Sequence, residues 1–234
     1  MNTVQQKFDR LITEVSVFFK NQQEVYSDVI YTDYNFDELV LTPIEIKNQQ
    51  LIKFSEQIKN CQNCKLSEGR HNVVFGAGNA DADIMLIGEG PGHEEDFQGK
   101  PFVGAAGQLL TKILAAINLT REEVYIANIV KCRPPQNRDP LPEEQEVCKE
   151  YLKKQIELIE PKFILALGRV AAQALLNTTK PMNQLRGTVY DWEGIKLIVT
   201  YHPAALLRNP QWKRATWEDV QVLQKLYREI NGKF

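Results

Sequence analysis

Cysteines stand at positions 61, 64, 132 and 148, four in all, and four thiolates are enough to hold a metal centre. Cys61 and Cys64 form a C-x2-C pair, whereas Cys132 and Cys148 are separated by fifteen residues and come from different segments. A zinc ribbon ordinarily repeats the C-x2-C pair. Sulfur-only tetrahedral coordination suits zinc or an iron-sulfur cluster, and the spacing leaves both open. A redox C-x-x-C lowers thiol pKa, but that reading leaves Cys132 and Cys148 without a role. Four protein ligands would leave no open coordination position, so such a site is expected to be structural.

Other chemistry sits in three segments. The first is Gly88-Glu-Gly-Pro-Gly-His-Glu-Glu-Asp96, in which Gly88, Gly90 and Gly92 permit close backbone approach to a ligand. The dinucleotide fingerprint fails because its third glycine position is His93, and no GK[ST] follows for a P-loop. What remains is a tight loop rich in carboxylates, Glu89, Glu94, Glu95 and Asp96, suited to acid/base or hydrogen-bond work or simply to solvation. In the second segment Asn128 lies within the apolar run VYIANIV, where an amide is costly unless paired, and where it could read a base edge with two hydrogen bonds. Lys131, Arg133 and Arg138 follow with no acid among them until Asp139, a local positive patch of the kind that tracks a phosphate backbone. The third is His202, at the end of IKLIVTY, followed by Pro203 and by Leu206-Leu207-Arg208, two apolar side chains beside a cation that could wedge into a base stack.

These segments need a scaffold, and the remaining pattern supplies one. Apolar strand candidates at 82–88, 124–130, 162–168 and 195–202 alternate with amphipathic helix patterns at 104–117, 142–159, 169–176 and 216–230. That alternation predicts an α/β fold with a mostly parallel sheet covered on both faces. Open sheets of this kind bind ligands at the carboxyl ends of their strands, where the three segments should meet. With 234 residues, 43% of them hydrophobic, the chain can form such a core without covalent staples. Residues 1–60 differ in composition, carrying 6 Lys or Arg against 9 acids. Phe8, Leu11, Ile12, Val15, Phe18 and Phe19 recur there at helical spacing, a linker of uncertain order spans 27–43, and a second helix is expected near 44–59. The formal net charge of -2 excludes a histone-like polycation. No apolar run approaches the roughly 18–20 residues of a membrane span, and residues 1–20 carry Asp9 and Glu14 in place of a secretory core. A reducing cytoplasm, where thiols remain free for metal, is the expected location.

Taken together, GEGPGHEED, GKPFVGAAGQLL, NIVKCRPPQNR, the four cysteines and HPAALLRNP resemble the family 4 uracil-DNA glycosylases, the iron-sulfur branch of their superfamily. The resemblance covers about residues 58–230, which divides the chain into an N-terminal extension at 1–57, of unassigned role or partner, and a glycosylase domain at 58–234. It implies a three-layer α/β/α sandwich, and a [4Fe-4S] cluster on Cys61, Cys64, Cys132 and Cys148 that orders the DNA-binding loops. It also implies an enzyme that extrudes deoxyuridine from DNA and hydrolyses the N-glycosidic bond. Carried over by position, Glu89, Gly90 and Pro91 border the uracil and the attacking water, and Phe102 stacks on the base. Asn128 reads the amide edge, His202 contacts the O2 side, and Glu95 and Asn137 match further active-site positions. Arg133, Arg138, Leu206, Leu207 and Arg208 fall on the DNA-binding loops.

The residue types suit that chemistry. Negative charge grows on the departing uracil, and a donor aimed at it is worth roughly 3–4 kcal/mol by analogy with oxyanion holes. Flipping the nucleotide costs only a few kcal/mol. The better-known family 1 loop bears a water-orienting aspartate where this chain has Gly90, which leaves Glu89 or backbone groups to place the water. A branch that traps uracil covalently carries a histidine in a basic segment after the Asn-bearing strand. Here KCRPPQNR contains none, so hydrolytic turnover is expected. A monomer is expected, and the competing reading is a non-catalytic nucleic-acid-binding module of the same fold.

Overall fold

The computed structural model describes residues 10, 12–17 and 41–231. Two compact units divide at 42/43. In the first, residues 12–17 are helical, with Arg10 and Glu14 forming an i,i+4 ion pair of 2.8 Å, and Ile12 and Val15 of the expected apolar stripe are exposed. Phe8, Leu11, Phe18 and Phe19, and most of the expected linker, lie outside the described residues.

The second unit, Pro43–Phe234, begins ahead of the boundary expected at 57/58. The reason is packing: helix α1 (Pro43–Ile58) buries Leu51 and Ile58 in the core. A six-stranded sheet follows, made of β1 (Ala77–Gly78), β2 (Ile84–Gly88), β3 (Tyr125–Asn128), β4 (Phe163–Leu167), β5 (Val189–Trp192) and β6 (Ile195–Thr200), in the order β1-β3-β2-β4-β6-β5. The central four strands are parallel, and β1 and β5 add antiparallel edges. Every residue of β2, β3 and β4 is buried, as expected of strands covered on both faces, whose sequences read as continuous apolar runs.

Alternation along these strands sorts the core into two layers. Met85, Ile87, Ile164, Ala166, Leu197 and Val199 pack with α1, α4 (Pro142–Ile159) and α5 (Arg169–Leu176). Ile84, Leu86, Phe163, Leu165 and Ile198 pack with α3 (Ala105–Ala116) and α8 (Lys213–Asn231). Short helices α2 (His93–Gln98), α6 (Met182–Leu185) and α7 (Pro203–Arg208) complete the unit. The result is the expected three-layer α/β/α sandwich. No helix among the described residues is long and apolar enough to cross a membrane.

Chain order places the functional edge. From β2 the chain steps to β3 on one side, then to β4 on the other, so the carboxyl end of β2 is a topological switch point. The register sets Gly88 beside Asn128, and Leu167 beside Thr200 two residues before His202. All three segments singled out by their chemistry leave the sheet at this one edge.

Candidate active site

At that edge a cavity of about 310 Å³ is lined by Glu89, Gly90, Pro91, Glu95, Phe102, Asn128, Asn137, His202 and Arg208, all expected from the sequence to contact substrate or DNA. Gly88 packs against two of these side chains. A Cβ there would lie 2.7 Å from the Phe102 ring and would collide with Asn128 Oδ1, so only glycine lets the amide and the ring close over the strand end. Gly90 is similarly constrained, with Val130 Cγ2 2.7 Å from where its Cβ would stand.

Phe102 is buried and adopts φ +52°, a left-handed conformation that costs a non-glycine residue on the order of 1–3 kcal/mol. Four hydrogen bonds hold it there. Glu95 Oε1 accepts from the Val103 and Gly104 N–H groups, each at 2.9 Å. Arg121 donates to the carbonyls of Phe102 at 3.1 Å and Pro101 at 2.9 Å. The ring ends up 5.4 Å from the His202 imidazole, tilted by 31°.

Asn128 is 1% exposed, and its Oδ1 has no hydrogen-bond partner. A buried amide left unsatisfied is destabilising by about 1–3 kcal/mol, which marks it as a group awaiting a ligand. His202 caps α7, its Nδ1 accepting from the Ala204 N–H at 3.1 Å. That bond assigns the remaining ring proton to Nε2. Burial first, then the Arg208 charge, pushes His202 down to about 4, so at neutral pH it is an uncharged Nε2–H donor. Its backbone packs against Gly168, whose φ of +92° leaves the space that a Cβ would take from His202 Cβ, 2.8 Å away.

Glu89 is half-buried, and desolvation, followed by the charge of Asp139, pushes it up to about 7, while Arg169 and Arg208 act in the opposite sense. A carboxyl that ionises near neutrality at the mouth of a cavity is suited to accepting a proton or orienting a water molecule.

The four cysteines meet elsewhere, around a residual cavity of about 10 Å³ behind the β3 loop. Donors surround the sulfurs: Arg70 lies 3.4 Å from Cys132 Sγ, the Lys131 N–H 3.4 Å from Cys148 Sγ, and the Tyr151 hydroxyl 3.2 Å from Cys61 Sγ. Among the described residues no three His, Cys, Asp or Glu side chains close to the spacing of a single-ion site. Burial pushes the Cys132 thiol up to about 12 and raises Cys148 as well. Fully buried beside them is Lys131, pushed down to about 8 by burial and drawn back by the Cys148 and Cys132 charges.

A sequence profile of the uracil DNA glycosylase superfamily matches residues 75–223. The chain belongs to that superfamily. It is 47% identical to a type-4 uracil-DNA glycosylase of Archaeoglobus fulgidus over 73% of its own length and 89% of the relative's. It is 48% identical to one of Thermotoga maritima, covering 71% of this chain and 89% of the other, and 45% identical to one of Saccharolobus solfataricus, covering 73% and 83%.

Within this uracil DNA glycosylase fold, several candidate residues stand apart from the roles their types suggest. Leu206 is 1% exposed and belongs to the core, which leaves Leu207, 49% exposed, as the wedge candidate. Arg138, which also lines the cavity, grips the buried Glu144 with two bonds of 2.8 and 2.7 Å at the start of α4. Lys131 is buried and so removed from the positive patch, while Arg133 donates to Asn137 Oδ1 at 2.7 Å. The acidic loop is largely a set of fasteners, with Asp96 buried and accepting from the His71 and Asn72 N–H groups and Glu95 holding the Phe102 turn. Asp139, Ala106, Pro134 and Ala204 also line the cavity and were not singled out from the sequence. Asp139 adjoins a loop already marked by its cations. Arg121 sits in a polar turn with nothing in its neighbours to mark it.

Proposed function

We propose that the pocket at the carboxyl end of β2 takes a uracil base flipped from DNA and that the chain hydrolyses its N-glycosidic bond, releasing uracil and leaving an abasic site. Asn128 carries this reading: a buried amide with an unsatisfied oxygen, set beside an aromatic face, inside a cavity large enough for one base. Its carbonyl accepts from uracil N3–H while its amino group donates to O4. Cytosine presents the opposite pattern and is excluded. The Phe102 ring stacks on the base. His202, neutral and with its proton on Nε2, donates to O2, where charge accumulates as uracil departs, and being neutral it adds no repulsion to the cationic sugar. Glu89, ionised above about pH 7, orients the attacking water from the rim. Asn137, Pro91 and Gly90 complete the wall around the base. Arg133, Arg208 and Leu207 face the DNA, the arginines on phosphates and the leucine in the stack.

The four cysteines are proposed to hold a [4Fe-4S] cluster. Their fit rests on two observations that are costly separately and compatible together: thiols whose burial opposes ionisation, and a buried ammonium with no carboxylate partner among the described residues. Metal-bound thiolates are deprotonated outright, and their net negative charge would balance Lys131. Cys61, Cys64, Cys132 and Cys148, which line one small cavity together, would be the residues that hold the cluster. When bound, the group supplies a rigid anionic staple between the 61–64 segment, the β3 loop and α4. We further propose a monomer acting in the cytoplasm, with the part of the 1–57 extension that precedes α1 available to a partner.

The test is mass-resolved detection of free base after incubating the full chain with oligonucleotides that contain a single uracil or a single cytosine. Free uracil from the first and no free base from the second is expected. Tight binding of both without release would instead favour a non-catalytic binding module.

A further inference from the structure

Lys131 is 1% exposed, and no ion pair to it is formed by any carboxylate among the described residues. Its Nζ donates to two neutral oxygens, the backbone carbonyl of Asn128 at 2.9 Å and Gln155 Oε1 at 2.5 Å. Gln155 is itself fixed, its Nε2 donating to the Phe75 carbonyl at 2.9 Å. On the other side, the Lys131 N–H points at Cys148 Sγ, its carbonyl accepts from the Val74 N–H at 2.8 Å, and the next residue is Cys132. A lone buried ammonium is among the costliest groups a fold can contain, so its place here calls for a compensating use. The Asn128 side chain, for its part, has no protein partner for its oxygen, so packing and the backbone beneath it set where the amide points.

We propose that Lys131 is a positioning residue for base recognition: its Nζ, held on its other side by Gln155, pins the Asn128 carbonyl at the end of β3, while its own backbone N–H anchors it to the four-cysteine site at Cys148. The inference rests on the uracil-excising reading of the pocket. It makes the cysteine site and the base-reading amide one mechanical unit, joined through a single residue.

A double-mutant cycle tests it, with single-turnover uracil release, oligonucleotide affinity and absorbance near 400 nm measured on the full chain, on Lys131→Met, on Asn128→Ala and on the double variant. Release by the parent secures the underlying reading independently of the cycle. The proposal predicts that Lys131→Met slows release by on the order of tenfold or more with affinity nearly unchanged, and that the same substitution in the Asn128→Ala background slows it by less than about threefold. Lys131→Gln, which keeps a donor toward the Asn128 carbonyl, should recover part of the rate, and it replaces Lys131→Met in the cycle if the latter does not fold. Losses that multiply in the double variant, with or without loss of colour, would assign Lys131 to the cysteine site alone and overturn the proposal. A single variant as fast as the parent would overturn it too.

Discussion

Glu89 and His202 line the same pocket with pKa values displaced in opposite directions from their ordinary 4.5 and 6.5, to about 7 and about 4. Burial is the first cause of both shifts, since it penalises a carboxylate and an imidazolium alike. If the Glu89 carboxylate orients the water, the single-turnover rate should fall about tenfold per pH unit below 7, and Glu89→Gln should flatten that limb at a low rate; a limb that survives in the variant would assign the ionisation elsewhere. The same group affects stability. Its folded-state pKa is raised, so the stability it contributes is complete below about 4.5 and lost as pH rises through about 7. Glu89→Gln should therefore stabilise the protein at pH 8 by roughly 1–2 kcal/mol, allowing for solvent screening, and hardly at all at pH 4, as read from thermal midpoints. His202, its pKa depressed, contributes stability that is present above about 6.5 and lost as pH falls through about 4, so no step near 6.5 should appear in the rate profile.

At the scale of elements, the buried strands and long helices are legible in the sequence and the short connections between them are not. Strands β2, β3, β4 and β6 stand out as apolar runs, and the segments following them are marked by glycine, amide, cation and histidine. Helices α3, α4, α5 and α8 are evident from their period. The short edge strands are not: Ala77–Gly78 has two residues, and Val189–Trp192 alternates in exposure without a buried run. Helix α2 is hidden inside an acidic stretch, because His93–Gln98 has no apolar stripe and is closed by Gly99 at φ +68°. The use of Glu95 is equally hidden, since only the fold reveals that its partners are the N–H groups of Val103 and Gly104 in the turn between α2 and α3. Its role there is positional. Glu95→Gln, which retains the acceptor oxygen, should keep most of the rate, whereas Glu95→Ala should lose stability by about 1–3 kcal/mol together with activity; equal losses in both would mean that the charge itself takes part in the reaction. Neighbouring leucines divide in the same way. Leu206→Ala should cost about 2–5 kcal/mol of stability through a core cavity, and Leu207→Ala should leave the melting temperature alone while weakening extrusion of the base.

Taken as a whole, a chain of net charge -2 must bind a polyanion through local charge, which Arg208 and Arg138 supply at the pocket itself and Arg133 in the loop after β3. Affinity for a duplex should fall steeply with salt, and Arg208→Ala should reduce the slope of log affinity against log salt by about one; an unchanged slope would move the DNA face elsewhere. The cluster proposed for the four cysteines would tie α4 and the 61–64 segment to the loop after β3, so that iron removal by a chelator should lower the melting temperature and the oligonucleotide affinity together.

The most direct test of the account is single-turnover release of uracil from a single-uracil oligonucleotide by the parent chain and by the Asn128→Ala, His202→Ala variant, at matched occupancy of DNA. Both substituted side chains line the pocket without carrying the DNA backbone. Release by the parent, with the variant slower by at least about a hundredfold, is the predicted result. A variant as fast as the parent would place the reaction somewhere other than the cavity at the end of β2.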